Sequence, residues 1–170
     1  TRAFISAYSN PEGQKALRKS VTLLHCTTEY PTPLEEINLK AMITMQSAFG
    51  VSVGYSDHSS GLIVPIAATA LGATVIEKHF TISRDLDGPD HVASLEPNEL
   101  SKMVKTIRDT EIAMGSARKL PQLSEIKNIE VARKSIVTTA PIKKGEKFNI
   151  DNISIKRPGT GIHPREFWNL

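Results

Sequence analysis

The sequence predicts an α/β fold built on parallel strands, followed by a short β-rich region. Short apolar runs, each followed by a stretch of helical period, recur three times between Val21 and Met114. Those runs are mainly apolar rather than cleanly alternating, as strands covered on both faces should be. Beyond Ser116 the helical period lapses, and brief strand-like runs separated by turns take over.

Val21–Cys26 (VTLLHC) is the first strand candidate, and Leu34–Phe49 the helix after it, with Leu34, Ile37, Ala41, Met45 and Ala48 on one face. Val51–Tyr55 (VSVGY) precedes Leu62–Leu71, whose almost wholly apolar sequence predicts a buried helix. Thr74–Phe80 (TVIEKHF) precedes a helix over Asn98–Met114, striped by Leu100, Met103, Val104, Ile107 and Met114 and with Asn98 as its N-cap. Gly50 and Gly72 fall just past helices, where a left-handed residue is favoured. Such strand–helix repeats imply right-handed crossovers. An incomplete (β/α)₈ barrel and an open doubly wound sheet both satisfy the pattern. The absence of G-x-G-x-x-G after a strand weakens a dinucleotide-binding version of the latter. Residues 116–130 read as a polar linker. Ser135–Thr139 and Ile153–Lys156 read as strands, with a turn at Lys143–Glu146 between them.

The 170 residues suffice for one ordinary domain and a small second one, with 39% hydrophobic and 23% charged residues marking a globular chain. No apolar run approaches the ~20 residues that span a bilayer, and TRAFISAYSNPEGQK lacks the apolar core of a secretory signal. The missing initial Met makes a cut or processed start the expectation. A net charge of +3 with scattered Lys and Arg is no nucleic-acid footprint. The single Cys26 excludes an intrachain disulfide and fits a reducing cytoplasm; within VTLLHC it is expected to be a buried, inert thiol.

Ligands of parallel α/β folds bind beyond the carboxyl ends of the strands. Polar residues gather there: His25, Thr27, Thr28 and Tyr30; then Ser56, Asp57 and His58; then Glu77 and His79. Strand alternation puts Glu77 and His79 on one face, so His58 and His79 are placed to converge. Two imidazoles with adjacent carboxylates suit a divalent cation acting as a Lewis acid. Hydrogen-bonded strand-end histidines remain the alternative, because 21 residues between two histidines is no metal-site spacing.

Longer strings carry more. HCTTEYP, GYSDHSSG, IEKHFT followed by GPDHVASLEP, and KRPGTGI occur in that order between Val21 and Ile162. Together they resemble the sialic acid (N-acetylneuraminate) synthase family, in its bacterial branch with the legionaminic and pseudaminic acid synthases. Any one string is weak; the ordered set is specific.

The resemblance implies the C-terminal portion of a (β/α)₈ TIM barrel over residues 1–115, a linker over 116–130, and the beginning of an antifreeze-like (SAF) domain over 131–170. It implies a domain-swapped homodimer and a manganese or magnesium ion bound by His58 and His79. By the same likeness Ser56 contacts the phosphate of phosphoenolpyruvate, Tyr30 lines the sugar site, and Glu77 and Asp90 belong to the site. Arg157 of KRPG reaches into the partner's active site, and Thr28 stands where family members can carry a phosphate-contacting Asn. The implied reaction condenses phosphoenolpyruvate with an N-acyl amino sugar, giving a nine-carbon 2-keto acid and phosphate for bacterial surface polysaccharide. The family's phosphoenolpyruvate-holding lysines and glutamates of the first barrel strands do not occur in this sequence, so the chain alone is expected to be inactive. An inactive fragment or a SAF-type binding module is the competing reading. His25 is expected to be structural, and Asp57 to orient a loop or make a turn contact.

Overall fold

Three strands, β1 (Thr22–Cys26), β2 (Ser52–Asp57) and β3 (Ile76–Lys78), pair in parallel in chain order. The structure is a computed structural model that describes residues 2–170, apart from the side chain of Phe4. Register aligns His25 with Tyr55 and Ile76, then Cys26 with Ser56 and Glu77, then Asp57 with Lys78. Side chains of one register row share a face, and successive rows alternate. Tyr55 and Val53 therefore meet the helices, while Ser56 and Glu77 face the other way.

The core lies on the helix side, where Ile37, Met42, Val53, Tyr55, Val64 and Ala68 pack together. β2 is buried on both faces from Val53 to Asp57, as its unbroken apolar run predicts. Gly54 is required by proximity: a Cβ there would lie 2.4 Å from the Val75 carbonyl oxygen and 2.6 Å from Leu24 Cδ2. Past β3 the chain line continues through a single parallel bridge between Phe80 and Leu95.

Seven helices accompany the strands among the described residues: α1 (Arg2–Tyr8), α2 (Pro11–Ser20), α3 (Ala41–Phe49), α4 (Ile63–Ala70), α5 (Pro97–Met114), α6 (Leu123–Ile126) and α7 (Ile129–Ala132). The first two were not anticipated. α2 begins at Asn10, whose side chain accepts from Gly13 N at 2.7 Å, with Pro11 in the first turn.

Three expectations are corrected. The helix foreseen over Leu34–Phe49 is split into a 3₁₀ turn at Leu34–Glu36 and α3, because Asn38 takes a left-handed φ of 50° between them. The N-cap of α5 is Glu96, not Asn98. Pro97 occupies the first turn, where its missing N–H costs nothing, and Glu99 accepts from Glu96 N at 3.0 Å to close a capping box. Cys26 is exposed rather than buried, because the last residue of β1 points away from the helices. Gly50, by contrast, ends α3 in the expected left-handed conformation, φ 63°.

The chain divides into two compact units, one ending at Ser116 and the other running from Ala117 to Leu170. In the second, α6 and the start of α7 lie within residues 116–130, the stretch expected to be a polar linker. β4 (Ser135–Thr138) and β5 (Ile153–Lys156) pair antiparallel, Ser135 opposite Lys156. Buried Asn152 ties the intervening loop, accepting from Asn149 N at 2.8 Å and donating to the Lys147 carbonyl at 3.0 Å. No helix among the described residues is long and apolar enough to cross a membrane.

Candidate functional site

On the face away from the helices, the carboxyl ends of β1, β2 and β3 present one continuous polar patch. Its inner row is Cys26, Ser56 and Glu77. Ser56 Oγ donates to Glu77 Oε1 at 2.6 Å; the serine is buried, and the glutamate has an exposed side chain with acceptor capacity to spare.

Two residues further on, and so on the same face, His58 and His79 come together with ring centroids 5.5 Å apart, edge to face. Tyr30 joins them, stacked on His58 at 4.0 Å and edge-on to His79 at 5.2 Å. His58 Nδ1 lies 2.8 Å from the Thr27 carbonyl, which can only accept, so Nδ1 carries a proton. The lone pair of the neutral ring is then on Nε2, where the Tyr30 hydroxyl donates at 3.0 Å. Loss of solvation holds the Tyr30 phenol above its ordinary value, with Cys26, Asp90 and Glu77 adding in that order, so it stays a donor. Cys26 Sγ lies 3.6 Å from His58 Nδ1.

Asp90 arrives from the loop between β3 and α5, its exposed side chain placing Oδ2 4.0 Å from His79 Nδ1, too far for a hydrogen bond. That loop is tied on both sides. Thr81 Oγ1 and His91 Nδ1 lie 2.7 Å apart, and Arg84 Nε donates to the Ser94 carbonyl at 3.0 Å while its guanidinium pairs with Glu99. That pairing pulls the Glu99 carboxyl below its usual range.

The structure thus joins Tyr30, Ser56, His58, Glu77, His79 and Asp90. Thr28 sits exposed just past β1, outside the contacts that tie this cluster. Arg157 belongs to the second unit, where its Nε donates to the Ala132 carbonyl at 2.9 Å. His25 behaves as expected of a structural residue, its Nε2 2.8 Å from the Ile37 carbonyl. For a cation, His58 and His79 offer two nitrogen donors. Among the described residues no group of three His, Cys, Asp or Glu could hold an ion by itself. The pair fits a metal that completes its shell with oxygen from substrate and water, as catalytic sites with open positions do.

One residue escaped the sequence reading. Lys78 points to the helix side, where its Nζ meets Asp57 Oδ2 at 2.7 Å, the two side chains 2% and 0% exposed. The signal was present: a lysine on a strand between apolar neighbours needs a partner where its side chain turns under the helices, and Asp57 is its register neighbour.

Polar groups converging beyond the carboxyl ends of sequential parallel strands define an α/β protein with its ligand site on that edge. Residues 3–119 match the NeuB family, and the chain belongs to it. The N,N′-diacetyllegionaminic acid synthase of Campylobacter jejuni is 54% identical over 147 residues, 86% of this chain and 44% of its own length. The synthase of that name from Legionella pneumophila is 43% identical over 155 residues, 91% of this chain and 44% of its own. Among solved structures, the N-acetylneuraminic acid (sialic acid) synthetase of Leptospira borgpetersenii, crystallised with citrate, is 42% identical. It matches with a TM-score of 0.58 over 64% of this chain and 38% of that one. The chain spans less than half the length of these relatives.

Proposed function

We propose that the chain carries the cation- and sugar-binding end of an enzyme that condenses phosphoenolpyruvate with an N-acyl amino sugar. The observation that supports this best is the single face shared by His58, His79, Tyr30 and the Ser56–Glu77 pair. In this reading the three parallel strands are the last three of a (β/α)₈ barrel. The unit from Ala117 is then the start of a SAF-like domain, and Arg157 serves the site of a partner in a domain-swapped homodimer.

His58 and His79 would hold manganese or magnesium. When bound, the ion supplies a Lewis acid that polarises the aldehyde oxygen of the open-chain sugar. The chain's own groups do the rest. Ser56 binds the phosphate by turning its one hydroxyl proton from Glu77 to a phosphate oxygen, and Thr28, exposed just past β1, serves the same phosphate. Tyr30 and Asp90 flank the sugar. The methylene carbon of phosphoenolpyruvate bonds to the aldehyde carbon, whose oxygen takes up a proton. Water adds at the resulting cationic carbon and yields its proton to Glu77. The bond from that carbon to the bridging phosphate oxygen breaks as the new hydroxyl passes its proton to the departing phosphate, leaving a nine-carbon 2-keto acid. Fixed donors and charges at the developing oxyanion are the kind of term that dominates such catalysis.

The test is to graft residues 21–162 into the Campylobacter relative in place of its own segment. Phosphate release from phosphoenolpyruvate is then assayed with Mn²⁺ and either N-acetylmannosamine or a di-N-acetylated trideoxy sugar. Turnover that EDTA abolishes, and that His58→Ala or His79→Ala abolishes in the folded graft, is expected; the chain alone should not turn over. A folded graft without activity, or one indifferent to both histidines, overturns the proposal.

A further inference from the structure

The two imidazoles follow directly on two residues that serve no chemistry in the scheme above. Asp57 precedes His58, Lys78 precedes His79, and Asp57 and Lys78 are register partners on β2 and β3. Their side chains meet on the opposite face of the sheet, under the helices, while the imidazoles emerge together on the site face.

A short loop supplies further partners to the pair. Asp57 Oδ1 accepts from Ser59 N at 2.8 Å and Ser59 Oγ at 2.7 Å. Lys78 Nζ donates to Asp57 Oδ2 at 2.7 Å and to the Ser59 carbonyl at 2.6 Å. His58 is therefore the middle residue of a triplet tied down on both sides. Its own carbonyl accepts from Thr32 N at 3.0 Å, and its ring leans on the Thr27 carbonyl. His79 is held alike: Lys78 anchors one side of it, and its carbonyl accepts from Leu95 N at 2.9 Å.

A buried ion pair is a poor source of stability, since apolar residues of similar volume often serve as well or better; its attested use is to fix a register. A one-residue slip between β2 and β3 would break this pair and turn one imidazole to the wrong face. We propose that the Asp57–Lys78 pair, closed by Ser59, is the positioning device that sets the His58–His79 separation, so that both nitrogens address one ion. This rests on the reading that the two histidines are metal ligands.

The experiment compares wild-type full chain, Asp57→Leu/Lys78→Met, which removes both charges while keeping bulk, and the milder Ser59→Ala. Two readouts are taken on folded protein: ring-to-ring nuclear Overhauser effects among Tyr30, His58 and His79 without metal, and Mn²⁺ affinity by titration. Loss of the His58–His79 effect in the double variant is expected, with Mn²⁺ affinity falling about 10- to 100-fold, as when groups that orient metal ligands are removed. Ser59→Ala should shift both in the same direction by less. A folded double variant with wild-type ring effects overturns the proposal. If the double variant does not fold, Ser59→Ala decides alone, and unchanged ring effects there overturn it. Should the wild type bind no Mn²⁺, the metal reading fails while the ring effects still decide the positioning.

Discussion

Tyr55 buries its whole side chain in the core, and its hydroxyl has no hydrogen-bond partner among the described residues. Burial first, then the neighbouring Asp57 and Cys26, push the phenol up to about 12. Between the unfolded value near 10 and that raised one, the unfolded chain releases a proton that the folded chain keeps. Stability is therefore intact below pH ~10 and falls as pH rises beyond it. Tyr55→Phe should flatten that alkaline fall and add about 1 kcal/mol at neutral pH, by removing an unpaired buried hydroxyl; urea midpoints at pH 7 and pH 11 measure both. Tyr30 makes the opposite kind of prediction. Its hydroxyl occupies the His58 lone pair that a cation would take, so the two interactions exclude one another. Tyr30→Phe should tighten Mn²⁺ binding by about three- to tenfold, the worth of one hydrogen bond, while weakening sugar binding; calorimetric titration with each ligand separates the two effects.

Among the elements, β2 sets the tolerances. It runs between β1 and β3, and at Gly54 any side chain would meet the Val75 carbonyl just before β3 and the Leu24 side chain of β1. Gly54→Ala should cost about 1–3 kcal/mol through overpacking, read as a lowered denaturation midpoint with ring contacts at the site disturbed. The reading of elements succeeded where one cause dominates. The apolar runs of β1 and β2, the helix α5 and the β5 span all rest on periodicity or on burial over several residues, although Val104 and Met114 of the α5 stripe are exposed. It failed where a single local choice decides. Asn38 stepping into the left-handed region breaks one helix into two pieces, and Glu96 rather than Asn98 caps α5 because Pro97 fits inside the first turn. Neither follows from a period.

In the molecule as a whole, two units follow one another along the chain, and residues between α5 and α6 are exposed and without regular structure. Exposed irregular stretches are preferred sites of nicking. Trypsin at low ratio should cut first after Lys119, in the irregular start of the second unit, leaving two protease-resistant pieces identifiable by mass spectrometry; first cuts inside β1–β3 would contradict the division. The NeuB membership was legible from four strings in order, because each holds several polar residues that no core or turn requires together.

The sequence by itself determined the parallel α/β class, the order of the three parallel strands with a helical stretch after each, and the polar residues gathered at the strand ends. Those follow from periodicity and alternation, which act over a few residues and need no distant partner. Only the tertiary structure decided that Tyr30 lies across both imidazoles, that Ser56 is bound to Glu77, and that Cys26 faces outward beside His58. It alone joined Asp57 to Lys78 beneath the sheet. These contacts bring together residues far apart in sequence, and their geometry depends on strand register, which becomes definite only when the strands pair.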